Sequence, residues 1–183
     1  MTTTFFNSYF DTLSKKAAEI DTDLLEQAAT MISQIDYSSG AKSIIAGNGG
    51  SASIASHVAV DLTKAANARS ICFNEANLIT CYANDYGYEK WVEEAIKSYY
   101  VKGDVVILIS SSGTSKNIVN AATYAKNLGL NVITFSGFSS NNDLRKIGDI
   151  NLWIDSSEYN IVEITHNTWL LSIVERVIQL KKS

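Results

Sequence analysis

Twice in this chain an apolar, β-branched run passes through a turn of glycine and serine into a helical stretch, and that repeat limits the fold more than any other feature. The first unit is Ser43-Ile44-Ile45-Ala46-Gly47-Asn48-Gly49-Gly50-Ser51-Ala52-Ser53. The second is Val105-Val106-Ile107-Leu108-Ile109, followed by Ser110-Ser111-Ser112-Gly113-Thr114-Ser115 and a helical pattern from Lys116 to Leu128. Short unbroken β-branched runs between helices read as parallel strands covered on both faces. Each turn leaves small hydroxyl side chains and unpaired N–H groups at a helix N-terminus, where the partial positive charge favours an anion.

The chain contains no proline, so element boundaries are read from glycine, asparagine and serine. Helical periodicity runs through Phe5, Phe6, Tyr9, Phe10 and Leu13, then through Ile20, Leu24, Leu25, Ala28, Met31, Ile32 and Ile35. These stretches predict a helical hairpin over residues 1–40, broken near Asp21-Thr22-Asp23, with Asp21 or Thr22 as N-cap. Strands are expected near 42–46, 69–73, 104–109, 131–136 and 149–154. Helices are expected near 51–66, 88–101, 115–128 and 140–147, with a long closing helix from 158 to 181. Right-handed crossovers make this an α/β fold: a five-stranded parallel, doubly wound sheet of flavodoxin-like topology in one domain over 1–183. Ligands of such sheets bind beyond the carboxyl ends of the strands, at the switch point between the first and third, so Ser51 and Ser110 to Ser115 are expected to face one pocket.

Composition narrows the setting. Formal net charge is −4 with no basic stripe, which argues against a nucleic-acid partner. No apolar run is long enough for a membrane span, and Met1-Thr2-Thr3-Thr4-Phe5-Phe6-Asn7 is unlike a secretory leader, so a cytoplasmic protein is expected. Cys72 and Cys81 stand in apolar surroundings without CxxC spacing and read as buried thiols in a reducing compartment. Tyr82, Tyr86, Tyr88, Trp91, Tyr99 and Tyr100 read as core and subunit contacts. A competing reading takes Gly47 to Ala52 as G-x-G-x-x-A with Glu75 as a ribose-binding acid. The serine cluster after the third strand has no duty in a dinucleotide site, so no nucleotide cofactor is expected.

Four blocks together carry a resemblance: Gly47-Asn48-Gly49-Gly50-Ser51, His57 on the next helix, Ala83-Asn84-Asp85-Tyr86-Gly87-Tyr88, and Ile109 through Asn117. In this order they resemble the SIS (sugar isomerase) domain, and within it the phosphoheptose isomerase branch. The resemblance covers nearly the whole chain. It implies a phosphorylated sugar as ligand, held by Asn48, Gly49, Gly50, Ser51, Asn84, Asp85, Ser110, Ser111, Ser112 and Ser115. It also implies a homotetramer, with the N-terminal hairpin used in assembly and sites at subunit interfaces, and in some members a zinc ion.

The implied reaction interconverts sedoheptulose 7-phosphate and D-glycero-D-manno-heptose 7-phosphate through an enediolate, which needs a base, an acid and oxyanion stabilisation. In the resembled enzymes the base is a glutamate four residues after the motif histidine; here Asp61 stands there, one turn from His57. Its carboxylate reaches about 1.5 Å less far, and a misplacement of that size can cost ~100-fold in rate. The closing helix departs further. Where the family carries a glutamine before the glutamate that Glu163 matches, and a histidine eight residues after that glutamine, this chain has Val162 and Leu170. His166 lies four residues from both and is the candidate to replace them as acid/base. Catalytic duty is thus expected of Asp61 and His166, and any zinc of His57, Asp61 and His166 with Glu163 outside them. The alternative is a non-catalytic sugar-phosphate-binding or protein-interaction platform that keeps the cradle.

Overall fold

A computed structural model describes residues 4–182; Met1, Thr2 and Thr3, on which the leader and hairpin expectations partly rest, lie outside the described residues. Helices α1 (Phe5–Ala18) and α2 (Thr22–Ser33) form the expected hairpin, and the Asp21 carboxylate caps α2 by accepting from the Asp23 N–H at 3.0 Å. Then β1 (Ser43–Gly47), α3 (Gly50–Lys64), β2 (Ser70–Cys72), α4 (Ala76–Tyr86), α5 (Trp91–Tyr99), β3 (Val105–Ser110), α6 (Lys116–Asn127), β4 (Asn131–Ser136), β5 (Ile150–Trp153) and α7 (Tyr159–Leu180) follow.

All four strand pairings are parallel, in the order β2-β1-β3-β4-β5. The two-residue alternation of a strand divides the core into two layers. Ile45, Ile107, Ile109, Ile133 and Phe135 point to one side, against α2, α3 and α7, while Ile44, Ala46, Val106, Leu108 and Val132 point to the other, against α5 and α6. The hairpin closes on α7 through the Trp169 indole N–H, which donates to the Ala17 carbonyl at 2.9 Å, and through Arg176 on Glu26. At the amino end of the sheet, Lys42 Nζ donates to the fully buried Asp104 carboxylate at 2.8 Å and to the Tyr99 carbonyl at 2.8 Å.

Three local expectations change. Residues 76–86 form α4, a helix outside the expected set, because the Glu75 carboxylate accepts from the Leu78 N–H at 3.1 Å and caps it. Residues 140–147 hold only one 3-10 turn, Leu144–Lys146, since Asn142 ties this segment down by its side chain. Cys81 is exposed on α4, and Cys72 is half-buried against the core with its thiol 3.4 Å from Ser56 Oγ, so neither is a fully buried thiol. Trp91 is fully buried, whereas Tyr86, Tyr88, Tyr99 and Tyr100 are exposed.

Candidate active site

β1 and β3 are neighbours, and the chain leaves both at their carboxyl ends into helices, which brings the two glycine/serine turns together. At the first turn a Cβ on Gly47 would fall 2.7 Å from Ser51 atoms, so only glycine lets α3 start this close to β1. Gly49 takes φ +54° and is the N-cap of α3 without any capping side chain, leaving the first N–H groups of the helix open. At the second turn Ser115 is the N-cap of α6, yet its hydroxyl accepts from Ser110 Oγ at 3.1 Å and not from the helix. The Ser112 hydroxyl is 3.0 Å from Thr114 Oγ1 within the turn, and Ser111 Oγ is buried with no hydrogen-bond partner.

These groups line a cavity of about 270 Å³ with Asn48, Gly49, Gly50, Ser51, Ile109, Tyr159 and Glu163. Its floor is braced from β4. Asn142 Nδ2 donates to Ser136 Oγ at 3.1 Å and to the Ser139 carbonyl at 2.8 Å. The Gly137 N–H donates to the Ser111 carbonyl at 2.9 Å, and Gly113, at φ +68°, lies so close to the Asn142 amide that a Cβ there would collide with it.

A second pocket of about 320 Å³ adjoins the first and is lined by Gly50, Ser53, Ile54, His57, Glu163, Ile164 and Asn167. Gly50 and Glu163 belong to both. The Glu163 carboxylate lies over Gly50, where any side chain would collide with it, and so stands at the positive end of α3. His57 faces the second pocket, with its Nε2 3.2 Å from Asp61 Oδ2 one turn on.

The structure brings Asn48, Gly49, Gly50, Ser51, Ser110, Ser111, Ser112 and Ser115 to one cavity as the sequence leads one to expect. Other expected site residues lie elsewhere. Asn84 and Asp85 are on the last turn of α4, exposed and hydrogen-bonded to each other at 2.9 Å, and they line neither pocket. Asp61 meets His57 but not the pocket lining.

His166 is wholly buried, between Phe135 and Trp169, with Nε2 3.1 Å from the Ser136 carbonyl. A carbonyl only accepts, so the proton is on Nε2, and Nδ1 has no partner. Burial pushes its pKa down to about 4 and keeps it neutral. The reason is helical phase: Val162, His166 and Leu170 share a stripe, all at most 1% exposed, and that stripe faces the core. The expectation that His166 reaches the site as acid, base or metal ligand is therefore not met. Nor do His57, Asp61 and His166 converge; among the described residues no three His, Cys, Asp or Glu side chains group to hold an ion.

The face of α7 that does meet the pockets is Tyr159, Glu163 and Asn167, four residues apart in turn. That spacing is a usable signal in the sequence. A larger concavity, about 650 Å³, lies at the opposite end of the sheet against Val105, Asn131 and Ile150, the first residues of β3, β4 and β5. It has no glycine/serine turn, and sheets of this topology bind ligands at the other end.

The SIS-domain model matches residues 4–137, which takes in both turns and the first four strands. The chain belongs to the SIS-domain family. Within it, the phosphoheptose isomerase branch is matched by sequence. The chain is 37% identical over 138 residues to a probable phosphoheptose isomerase of Thermoplasma acidophilum, covering 72% of this chain and 75% of the relative. It is 33% identical to the phosphoheptose isomerase of Helicobacter pylori strain P12, covering 83% of this chain and 81% of the relative. In shape, this SIS domain matches a phosphoheptose isomerase structure from Francisella tularensis with a TM-score of 0.84 at 24% identity, over 95% and 96% of the two chains. The SIS fold thus accounts for the parallel sheet, the N-terminal helical pair and the long closing helix together.

Proposed function

We propose that this SIS protein is an aldose–ketose isomerase of a phosphorylated sugar, and that the sugar is sedoheptulose 7-phosphate. The supporting relatives are named as phosphoheptose isomerases. The observation that carries the reading is the junction at Gly50 and Glu163, where a cradle built for an anion opens onto a pocket holding an imidazole. A phosphate seated at the starts of α3 and α6 would direct the sugar chain past Glu163 toward His57.

A carboxylate in that position takes the proton from the carbon next to the carbonyl, and the carbonyl oxygen is protonated to give the enediol. Deprotonation of the neighbouring hydroxyl and return of the proton to the former carbonyl carbon complete the 1,2 shift, with no oxidant needed. Glu163 is assigned the carbon proton and His57 the oxygen proton. Asp61 holds the imidazole in orientation, a role its shorter reach permits. The proposed steps use protein groups alone, since His166 is buried in the core while His57 and Asp61 pair on α3.

The alternative, a binding platform without turnover, is favoured by one observation: the stripe Val162, His166 and Leu170 is core and supplies no chemistry. Conversion of sedoheptulose 7-phosphate by the purified protein supports the isomerase; tight binding without conversion supports the platform. Assembly into a homo-oligomer is part of the proposal, supported by Phe5, Phe6 and Phe10, each at least 60% exposed on α1.

A further inference from the structure

The two phosphate-facing turns are joined by an amide pair that the reaction itself does not use. Asn48 Nδ2 donates to Asn117 Oδ1 at 2.9 Å, and Asn117 Nδ2 donates back to Asn48 Oδ1 at 2.9 Å. Asn117 is 2% exposed. A third group, the Tyr88 hydroxyl, donates to the same Asn48 oxygen at 3.1 Å. Tyr88 is carried on a segment tied to α6, where the Glu89 carbonyl accepts from Asn120 Nδ2 at 3.0 Å and its carboxylate pairs with Lys116 Nζ at 3.0 Å.

A side-chain amide has two N–H donors and one oxygen with two lone pairs. At Asn48 both lone pairs are taken, by Asn117 and Tyr88, and one N–H is taken by Asn117. What remains is a single N–H on a residue that lines the cradle. An amide that otherwise presents either end to a ligand is reduced to a donor, which suits a phosphate oxygen and disfavours a ligand offering an N–H or O–H there.

We propose that Asn117 is a positioning residue, aided by Tyr88, which fixes the Asn48 amide so that only its N–H faces the bound phosphate. The proposal rests on the phosphosugar reading of the cradle. It acts through Asn48, so its signature is dependence on Asn48 and not a loss of fold stability.

The test is calorimetric binding of inorganic phosphate to the wild type, Asn48→Ala, Asn117→Ala, the double variant and Tyr88→Phe, with melting temperature measured for each. Asn117→Ala is expected to weaken phosphate binding about tenfold, and the double variant to bind no worse than Asn48→Ala alone. Tyr88→Phe is expected to weaken binding by a few-fold, and to change nothing once Asn48 is alanine. Asn117→Ala binding as wild type, or losses at 48 and 117 that multiply, would overturn the proposal. If Asn117→Ala does not fold, the Tyr88→Phe comparison decides, and an unchanged affinity there overturns it. A wild type that binds no phosphate removes the cradle reading and this proposal with it; a wild type that binds, with unaffected variants, removes this proposal alone.

Discussion

Glu163 and His166 are three residues apart on α7 and meet opposite surroundings: one stands over Gly50 between two pockets, the other is sealed under β4. The burial of His166 has a consequence for stability. Its pKa is held near 4 in the fold against 6.5 for an ordinary histidine. Between these values the unfolded chain binds a proton that the folded chain refuses, so stability is complete above pH 6.5 and falls as pH drops toward 4. The loss across that window is at most about 3 kcal/mol, and urea titrations of His166→Gln should lack it. Ser111 gives the opposite kind of prediction. Its hydroxyl lines the cradle, is buried, and has no partner to lose. Ser111→Ala should leave the urea midpoint in place while weakening phosphate binding by ~1.5–3 kcal/mol, the worth of a hydrogen bond to a charged group; equal affinity by calorimetry would take Ser111 out of the cradle. The pairing of His57 with Asp61 was legible, because four-residue spacing on a helix forces neighbours. The fate of His166 was not, since spacing says which residues share a stripe but not which stripe the sheet covers.

At the scale of elements, β1–α3 and β3–α6 do the same thing twice, and their glycines and serines announced it. What stayed hidden were elements fixed by single side chains. The Glu75 carboxylate, a ribose ligand only in the competing dinucleotide reading, is the cap that starts α4. Asn142 holds residues 136–145, its Nδ2 shared among Ser136 Oγ and the Gly137 and Ser139 carbonyls and its oxygen accepting from the Arg145 N–H, and replaces an expected helix with a brace under Gly113. Asn84 and Asp85 follow from the same Glu75 cap, since α4 runs through them to Tyr86. The amino end of the sheet depends on another such side chain. Asp104 accepts from Lys42 Nζ, the Lys42 N–H and the Val101 N–H, each at 2.8 Å, with no exposure to water. Removing one partner strands the other charge in the interior, so Asp104→Ala should cost about 3–5 kcal/mol. Denaturant unfolding measures it, and a loss below 1 kcal/mol would mean that water reaches Lys42 without cost.

For the whole molecule, the strand order places a switch point between β1 and β3, and this is why two turns distant in sequence share one cavity. The order was legible because the β-branched runs alternate with helices, and right-handed crossovers leave few arrangements. Assembly is the next level. Phe5, Phe6 and Phe10 present an aromatic face on α1 that water disfavours, so the protein should sediment as an oligomer at micromolar concentration; a monomer would leave that face without a role. The cradle and the Glu163–His57 pocket are proposed to carry out a 1,2-proton shift on a bound sugar phosphate. It is tested most directly by incubating the protein with sedoheptulose 7-phosphate in deuterium oxide and following the carbon next to the carbonyl by NMR. Deuterium should enter at that carbon with wild-type protein and fall by about 10²–10⁴-fold in Glu163→Gln, while phosphate binds at least as tightly because a like charge beside it is gone. Wild-type protein that binds the sugar phosphate but exchanges no proton, or Glu163→Gln that exchanges as fast as wild type, would contradict it.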